Sequence, residues 1–362
     1  MKMFELLAEQ DHEQVVFCQD REIGLKAIIA IHDTTLGPAL GGTRMWNYQS
    51  TADALRDVLR LSRAMTYKAA AAGLNLGGGK AVIIGDPNKD KNEILFRAYG
   101  RFVEALGGHY ITAEDVGTSV YDMEWIRMET QYVTGVLGPG GSGDPSPFTA
   151  YGVYHGMKAS TKYKFGSDSL SNRTIAIQGA GHVASHLAEY LTKEGAKVYI
   201  TDIYREKAEK VCDATGAIYV DPEAIYDVEC DIFCPAALGG VINPRTIPRL
   251  KCSIVAGAAN NQLEDEDRDS QLLAERDILY APDYVINAGG LINVATELEG
   301  YNKERALRRV ETIYNTLLNI YQKAEAENML PLQAANRLAE ERIAKVARIH
   351  RHYTGHPRIH RV

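Results

Sequence analysis

The chain has 362 residues and a formal net charge of −7, with 45% hydrophobic and 24% charged residues. Its length exceeds the size at which a single hydrophobic core usually stops growing, which predicts two domains. The acidic balance argues against nucleic acid or an anionic membrane as a partner, because both attract basic surfaces. No apolar run reaches the roughly 18 to 20 residues of a membrane span, and the first residues are acidic rather than signal-like. We therefore expect a cytoplasmic protein that binds a small metabolite.

The first third of the chain alternates predicted strands and helices, which is typical of a layered α/β domain. A β-branched run at 25–33 predicts a buried strand, and the glycine-rich stretch at 34–46 predicts a loop. An amphipathic stripe then predicts a helix from Thr51 that ends at Gly73. Beyond it, the sequence predicts a strand at 80–87, a helix at 93–108 and a strand at 109–118.

A linker is predicted at 137–147, where most residues are glycine, proline or serine. After it, a helix is predicted at 150–166, followed by strand, glycine turn, helix, strand and helix between 172 and 211. Short strands follow at intervals that suit a parallel sheet, at 217–220, 230–235, 253–257, 277–282 and 283–287. The chain ends with two predicted helices after Tyr301 and a frayed tail that carries His350, His352, His356 and His360.

A dinucleotide-binding pattern follows the predicted strand at 174–178 and opens a helix. Its glycines permit a tight turn and let backbone approach a pyrophosphate at the helix N-terminus, and its alanine lets helix and strand pack closely. The cofactor-binding residues predicted here are Gly179, Gly181, His182, Val183 and Ala184. The next strand ends at Asp202, near the spacing expected for the acid that binds a ribose, and a carboxylate there favours NAD over NADP. Arg205 could weaken that preference, and a generic β-α turn is the alternative interpretation.

Together these patterns predict an α/β fold of two domains. An N-terminal α/β domain, formed by residues 1–138 with 333–362, is expected to bind substrate, and its charged C-terminal helices are expected to pack in an oligomer. Residues 139–332 are expected to form a Rossmann-type, doubly wound NAD-binding domain.

Three residues of the first domain are candidates for contact with the reacting groups: Lys68, Lys80 and Asp115. Lys80 follows three glycines, but the stretch does not fit the nucleotide-triphosphate loop, because Leu74 and Ala81 replace the first glycine and the hydroxyl residue. Each candidate lies among small or apolar residues, where a charge is costly without a partner or a ligand. The ordinary alternative is a solvated surface charge.

Several longer motifs carry a family resemblance: KAAAAGLNLGGGKAVIIGDP, HDTTLGPALGGTRMW, YITAEDVGT, PAALGG, AGAANNQL and DYVINAGGLINVATEL. With them the chain resembles the Glu/Leu/Phe/Val amino-acid dehydrogenases from about Phe4 to Ile343. The resemblance implies NAD-dependent, reversible oxidative deamination of L-leucine and other branched-chain L-amino acids to 2-oxo acids and ammonia. It also implies a homo-oligomer, commonly an octamer, and a reaction that needs no metal.

The resemblance implies a role for each candidate residue. Lys68 would hold the substrate α-carboxylate, Lys80 would polarise the carbonyl group and activate water, and Asp115 would move protons to and from the amine. Further substrate contacts are implied for Leu40, Gly41, Gly78, Ala113, Asn261, Leu291 and Val294. Asn260 and Asn287 are implied to lie near the nicotinamide.

The identity of the amino acid is the open question. The four pocket positions are apolar, which disfavours a charged substrate: Leu40, Ala113, Leu291 and Val294. Leu291 and Gly79, however, match the phenylalanine-specific members of the family better than the leucine-specific ones. A phenylalanine- or tryptophan-preferring dehydrogenase on the same scaffold therefore stays open, as does a catalytically inactive NAD-binding homologue. Because apolar pockets separate substrates by only about 1–3 kcal/mol per methylene, we expect breadth among leucine, valine and isoleucine.

Overall fold

The computed structural model describes residues 3–8, 10–138 and 140–349, so the tail histidines at 350, 352, 356 and 360 lie outside the described residues. The described residues divide into two compact units. The first unit takes those within Met1–Asp144, Val294–Lys303 and Ala339–Val362, and the second takes Pro145–Asn293 and Glu304–Leu338. Residues 294–303, which the sequence division assigned to the NAD-binding part, group with the first unit. The division of function between the two parts remains a proposal.

The first unit is built on a five-stranded mixed sheet. Its strands are β1 (Gln14–Asp20), β2 (Leu25–Asp33), β3 (Ala39–Trp46), β4 (Gly77–Ile84) and β5 (Tyr110–Glu114). They lie in the order β1-β2-β4-β3-β5, in which β3 runs parallel to β4 and β5, and β2 runs antiparallel to β1 and β4. The strand predicted at 25–33 is confirmed.

Helices cover both faces of this sheet: α1 (Met3–Ala8), α2 (Thr51–Ala71), α3 (Glu93–Ala105) and α4 (Val120–Arg127). The predicted helix at 51–73 is confirmed as α2, which begins where the Ser50 side chain accepts a hydrogen bond from the Asp53 N–H. Buried residues of α2 pack on one face of the sheet, against Ile28, Ala30 and Val82. Residues of α3 pack on the other face.

The loop predicted at 34–46 is wrong, because β3 begins at Ala39 and lies inside the sheet between β4 and β5. The glycines that suggest a loop are instead required by the tight packing of the strands. A Cβ atom on Gly41 would lie 1.8 Å from the Gly79 carbonyl oxygen of β4. Residues on both sides of this strand are buried, so tertiary packing overrides the local preference of glycine for turns.

The second unit contains a parallel sheet of six strands: β6 (Thr174–Gln178), β7 (Lys197–Thr201), β8 (Ile218–Tyr219), β9 (Ile232–Pro235), β10 (Ile254–Val255) and β11 (Leu279–Tyr280). They lie in the order β11-β10-β9-β6-β7-β8. The strand order reverses between β6 and β9, as in a doubly wound dinucleotide-binding sheet. The predicted Rossmann-type fold is therefore confirmed.

The remaining helices are α5 (Ser146–Phe165), α6 (His182–Lys193), α7 (Arg205–Thr215), α8 (Glu266–Glu275), α9 (Asp283–Ile286), α10 (Gly289–Glu297), α11 (Lys303–Glu327) and α12 (Pro331–Ile349). Short 3-10 helices occur at Ala224–Asp227 and Ile247–Arg249. None of the helices in the described part of the chain combines the length and the apolar character that crossing a membrane requires.

One predicted strand, at 283–287, is wrong because these residues form the short helix α9. Pro282 precedes the helix, and the Asp283 carboxylate accepts a hydrogen bond from the Gln262 N–H at 3.1 Å. The Asn287 N–H closes the turn on the Asp283 carbonyl oxygen at 3.0 Å. A short apolar run fits strand and helix equally well in the sequence, and here the proline and this side-chain anchor favour the helix.

Candidate active site

The two residues expected to handle protons, Lys80 and Asp115, form an ion pair in the first unit. Lys80 lies on β4 and Asp115 directly follows β5, and these two strands flank β3. The Lys80 Nζ lies 2.8 Å from the Asp115 Oδ1, and the lysine side chain is only 7% exposed. A charge buried to this extent needs a partner of opposite sign, which each residue supplies to the other.

Gly42 on β3 leaves room for this ion pair. It pairs with Ala113 in the parallel register of β3 and β5. A Cβ atom on Gly42 would lie 2.3 Å from the Glu114 carbonyl oxygen and 3.0 Å from the Asp115 Cβ, so a larger residue would force the strands apart. The sequence analysis singled out only its neighbour Gly41, whose carbonyl oxygen accepts a hydrogen bond from the Tyr110 hydroxyl at 2.6 Å.

Gly78 lets helix α2 lie close to strand β4. A Cβ atom on Gly78 would lie 2.1 Å from both the backbone nitrogen and the Oγ1 of Thr66 on α2. The Thr66 hydroxyl is also bonded to His32 Nδ1 at 2.8 Å, at an irregularity in the pairing of β2 with β4. Lys68 follows two residues later on α2 and is 9% exposed. The close approach at Gly78 therefore sets where the helix segment carrying Lys68 lies relative to the strand carrying Lys80.

Two neighbouring carboxyl groups at the end of β5 differ in their proton affinity. Burial raises the pKa of Asp115, but the adjacent Lys80 and Arg44 charges outweigh it and hold that pKa below its usual range. For Glu114, burial and then repulsion from Asp144 and Asp115 raise the pKa to about 7. Near neutral pH, Asp115 is therefore an anion that can accept a proton, while Glu114 is partly protonated.

Two charged residues that the sequence analysis missed, Arg44 and Asp57, belong to the same cluster. The Arg44 Nε lies 2.9 Å from the Asp115 Oδ2, and its Nη1 lies 2.9 Å from the Asp57 Oδ2. Arg44 lies on β3 and Asp57 on α2. The signal in the sequence is an arginine inside a glycine-rich, otherwise apolar run, but nothing in the sequence identifies its two partners.

The four residues expected to line an apolar pocket are all buried: Leu40, Ala113, Leu291 and Val294. Leu40 and Ala113 lie on the neighbouring strands β3 and β5 of the first unit. Leu291 and Val294 lie on α10, with Leu291 in the second unit and Val294 in the first.

Gly79 does not belong with these pocket residues. A Cβ atom there would lie 2.7 Å from the ring of Tyr110 and 3.1 Å from the Ala39 Cβ, which belong to the core cluster that packs against α3. The glycine at this position is therefore explained by packing beneath Tyr110.

The predicted dinucleotide turn lies at the carboxyl end of β6, where α6 begins at His182. Gly179 has a φ of +115°, a conformation that favours glycine. Within the described part of the chain, no side chain caps the N-terminus of α6, and its N-cap residue Gly181 has open space where a Cβ would lie. The Asp202 carboxylate is held at this turn, since its Oδ2 accepts a hydrogen bond from the Ala180 N–H at 2.8 Å. An uncapped helix N-terminus beside a carboxylate fits a pyrophosphate and an adenosine ribose.

Arg205, the residue that could favour NADP, is engaged elsewhere. Its Nε lies 2.7 Å from Glu209 Oε1, and its guanidinium lies 4.8 Å from the centre of the Tyr219 ring. In this arrangement Asp202 is the charged group that contacts the turn, and a carboxylate there repels a 2′-phosphate.

The predicted asparagines lie in the second unit, and two of them are in contact. The Asn287 Nδ2 donates to the Asn260 Oδ1 at 2.9 Å and to the Ala258 carbonyl oxygen at 3.1 Å. The Asn287 Oδ1 is buried and has no hydrogen-bond partner among the described residues. Asn261 adopts a left-handed backbone with φ of +50°. A buried, unpaired acceptor is costly for the protein alone, so Asn287 fits a ligand that donates a hydrogen bond, such as a carboxamide.

Residues 12–132 match the model of the Glu/Leu/Phe/Val dehydrogenase dimerisation domain, and residues 140–204 and 198–351 match that of Glutamate/Leucine/Phenylalanine/Valine dehydrogenase. The chain is 60% identical over 344 residues to a leucine dehydrogenase of Thermoactinomyces intermedius, across 95% of this chain and 94% of that protein. It is 51% identical to a phenylalanine dehydrogenase of Bacillus thermotolerans, across 98% and 93%. The crystal structure of L-tryptophan dehydrogenase from Nostoc punctiforme matches with a TM-score of 0.82 and 48% identity, across 95% and 99%. The chain therefore belongs to the Glu/Leu/Phe/Val family of amino-acid dehydrogenases and is an enzyme.

Proposed function

We propose that the protein catalyses the NAD-dependent, reversible oxidative deamination of L-leucine and other branched-chain L-amino acids to 2-oxo acids and ammonia. The observation that carries this proposal is the ion pair of the buried Lys80 and the half-buried Asp115, with Nζ and Oδ1 2.8 Å apart. A carboxylate and an amine in contact with each other suit a reaction in which one proton is removed from the substrate amine and another from the water that adds to carbon. The 60% identity to a leucine dehydrogenase favours leucine as the substrate.

In the proposed mechanism, Lys68 binds the substrate α-carboxylate and Asp115 takes a proton from the α-ammonium group. The free amine can then push electrons as the α-hydrogen leaves with its electron pair. At alkaline pH the Lys80 ammonium gives its proton to solvent, and the neutral amine then deprotonates the water that attacks the iminium carbon; the resulting ammonium stabilises negative charge that develops on oxygen. Asp115 finally returns its proton to the amine nitrogen, so that the C–N bond breaks and ammonia leaves while the carbonyl forms and the hydroxyl proton passes to solvent.

The cofactor is proposed to be NAD, which when bound supplies the acceptor for the hydride. Its pyrophosphate would bind at the turn Gly179 to Ala184 and the start of α6, which includes His182 and Val183. Asp202 would bind the ribose, and its carboxylate favours NAD. Asn260 and Asn287 would bind the nicotinamide end, which the unpaired Asn287 Oδ1 supports.

Leucine is preferred to phenylalanine in this proposal for two reasons. The relatives named for leucine are more similar to the chain, at 57% to 60% identity, than those named for phenylalanine, at 51% to 52%. Gly79, one of the two residues that suggested an aromatic substrate, packs beneath Tyr110 and does not report on pocket size. Only Leu291 still favours the aromatic alternative.

The proposal is tested by following NADH formation at alkaline pH with a panel of L-amino acids, each with NAD and with NADP. We expect the highest kcat/KM for leucine, valine or isoleucine with NAD. No activity on any branched-chain or aromatic substrate would refute the enzymatic proposal, and preference for phenylalanine would replace it with the alternative. The octameric assembly and cytoplasmic location expected from the sequence stay predictions.

A further inference from the structure

The mechanism above gives no role to Arg44, a half-buried charge of the cluster. Arg44 lies on β3, its side chain is 20% exposed, and it contacts two carboxylates through different nitrogens. Its Nε donates to the Asp115 Oδ2 and its Nη1 donates to the Asp57 Oδ2, each at 2.9 Å. The same Asp57 oxygen accepts a hydrogen bond from the Tyr48 hydroxyl at 2.6 Å. The charges of Lys80, Asp115, Arg44 and Asp57 thus alternate in sign along the cluster.

We propose that Arg44 is a positioning residue for proton transfer: it occupies the Oδ2 of Asp115, so that Oδ1, the oxygen beside Lys80, takes the proton from the substrate amine. This inference rests on the proposed roles of Asp115 and Lys80. A carboxylate held on one oxygen only can rotate about its last side-chain bond. With Lys80 on one oxygen and Arg44 on the other, the carboxylate plane of Asp115 is fixed.

Arg44 also supplies a charge that persists through the reaction. In the proposed mechanism Lys80 passes through a neutral form when it takes part in proton transfer with water. A guanidinium stays protonated at every accessible pH, so it keeps a positive charge beside Asp115 when Lys80 is neutral. Burial lowers the pKa of Arg44, but the neighbouring Asp115 and Asp57 outweigh it and raise that pKa.

The backbone of Asp115 is held by hydrogen bonds that do not involve Arg44. The Asp115 N–H donates to the Thr118 Oγ1 at 2.9 Å, and the Thr118 hydroxyl is also 2.9 Å from the Thr43 carbonyl oxygen of β3. These bonds hold the turn without Arg44. Removal of Arg44 is therefore expected to free the carboxylate while leaving the turn in place.

Through Asp57, Arg44 is also bonded to α2, the helix that carries the proposed substrate-binding residue Lys68. Asp57 and Lys68 are both on α2, about three helical turns apart and therefore on the same side of the helix. Tyr48 holds the Asp57 oxygen that Arg44 contacts. The position of α2 is thereby linked to the orientation of the proton-accepting carboxylate through Arg44.

The test compares Arg44→Met and Arg44→Lys with wild type and with Arg97→Met. Arg97 is a matched control, since it also contacts two carboxylates, Glu93 and Glu129, but on α3 and near the surface. The pH profiles of kcat and kcat/KM with leucine and NAD are measured for each protein, together with the NAD Kd and urea unfolding.

For Arg44→Met we expect the acid limb of kcat/KM to move to higher pH by about one unit, because the two groups that must be deprotonated to accept protons, Asp115 and Lys80, both lose a neighbouring positive charge. The kcat at the optimum should fall about 10- to 100-fold, with a smaller change in KM, because the carboxylate is no longer oriented. Arg44→Lys keeps the positive charge, so the acid limb of its kcat/KM profile should stay close to the wild-type pH. Its kcat should stay low, because an ammonium cannot reproduce the two fixed donor directions. Arg97→Met should behave as wild type.

A folded Arg44→Met enzyme with a wild-type pH profile and kcat would overturn the inference. So would a variant that loses stability without any change in the pH profile, since that result describes a structural ion pair. If Arg44→Met does not fold, the test rests on Arg44→Lys. A kcat of Arg44→Lys equal to that of wild type would then overturn the inference. A wild-type protein inactive on every amino acid would instead refute the proposed function, so the two failures are distinguishable.

Discussion

Replacement of Gly42 by alanine places a methyl group where the first unit has no room for one. The new Cβ would lie 2.3 Å from the Glu114 carbonyl oxygen and 3.0 Å from the Asp115 Cβ. Non-bonded carbon and oxygen atoms stay roughly 3.3 Å apart even in close contacts, so β3 and the end of β5 must separate by about 1 Å. The Asp115 carboxylate, now 2.8 Å from Lys80 Nζ, moves with that chain segment.

A misplacement of about 1 Å in a reacting group can cost about 100-fold in rate, which sets the expected loss of kcat for Gly42→Ala. Overpacking of this kind destabilises by about 1–3 kcal/mol, so the variant should remain folded. The predicted cofactor turn, Gly179 to Ala184, lies in the second unit, so the Kd for NAD should stay within about twofold of wild type.

The assay follows NADH formation from leucine, with NAD affinity and urea unfolding measured on the same samples. Gly85→Ala is the control, because the nearest atoms to its Cβ are the flexible side-chain ends of Met45 and Asp90, at 3.0 and 3.2 Å. It should keep kcat within about twofold of wild type. A folded Gly42→Ala enzyme with wild-type kcat would refute the reasoning about β3.

Two further predictions concern pH and cofactor choice. Burial, followed by the charge of His32, lowers the pKa of His12 to about 4. His12 therefore binds a proton below about pH 6.5 in the unfolded chain, but only below about pH 4 in the folded chain. This contribution of His12 to the free energy of unfolding should fall by about 2 kcal/mol between pH 7 and 5, so wild type, measured with urea, should lose about 2 kcal/mol more over that interval than His12→Gln does. An equal change in both proteins would contradict the prediction. The variant Asp202→Asn keeps an acceptor for the Ala180 N–H but loses the negative charge. The preference for NAD over NADP, measured as a ratio of Kd values, should therefore drop about tenfold. An unchanged ratio would contradict the assignment of Asp202.

The sequence predicts the elements whose local preferences agree with their surroundings. The strand at 25–33 and the helix from Thr51 to Gly73 have clear periodicity and a cap at the helix start, and the structure agrees with them. The fold of the second unit can be predicted because its glycine turn, helix and following strand form one contiguous pattern in the sequence. Such local signals survive because packing reinforces them.

The exceptions occur where packing opposes local preference. Strand β3 is rich in glycine because its neighbours approach within the space that a Cβ would fill. No propensity scale contains that information, since it depends on residues such as Gly79 and Glu114 that are distant in sequence. Helix α9 is a similar case, because its start depends on the contact between Asp283 and Gln262.

Within the candidate site, the sequence identifies charges but not their pairing. Lys80 and Asp115 stand out because small residues surround them, and their contact follows from the order of β3, β4 and β5. Arg44 and Asp57 resemble ordinary charged residues until the fold brings the arginine between two carboxylates. Sheet order and helix placement, which the sequence analysis did not predict for this unit, supply the missing link.

In the proposed function, Lys80 of the first unit takes part in the chemistry and NAD binds to the second unit. It is tested most directly with Lys80→Ala, for which turnover of leucine and the Kd for NAD are measured together. Lys91→Ala serves as control, because Lys91 also pairs with an aspartate, Asp122, in the first unit. We expect Lys80→Ala to lose at least about 100-fold in kcat and to keep an NAD Kd within about twofold of wild type. Retained turnover, or a loss of NAD affinity as large as that caused by changing Gly181, would contradict it.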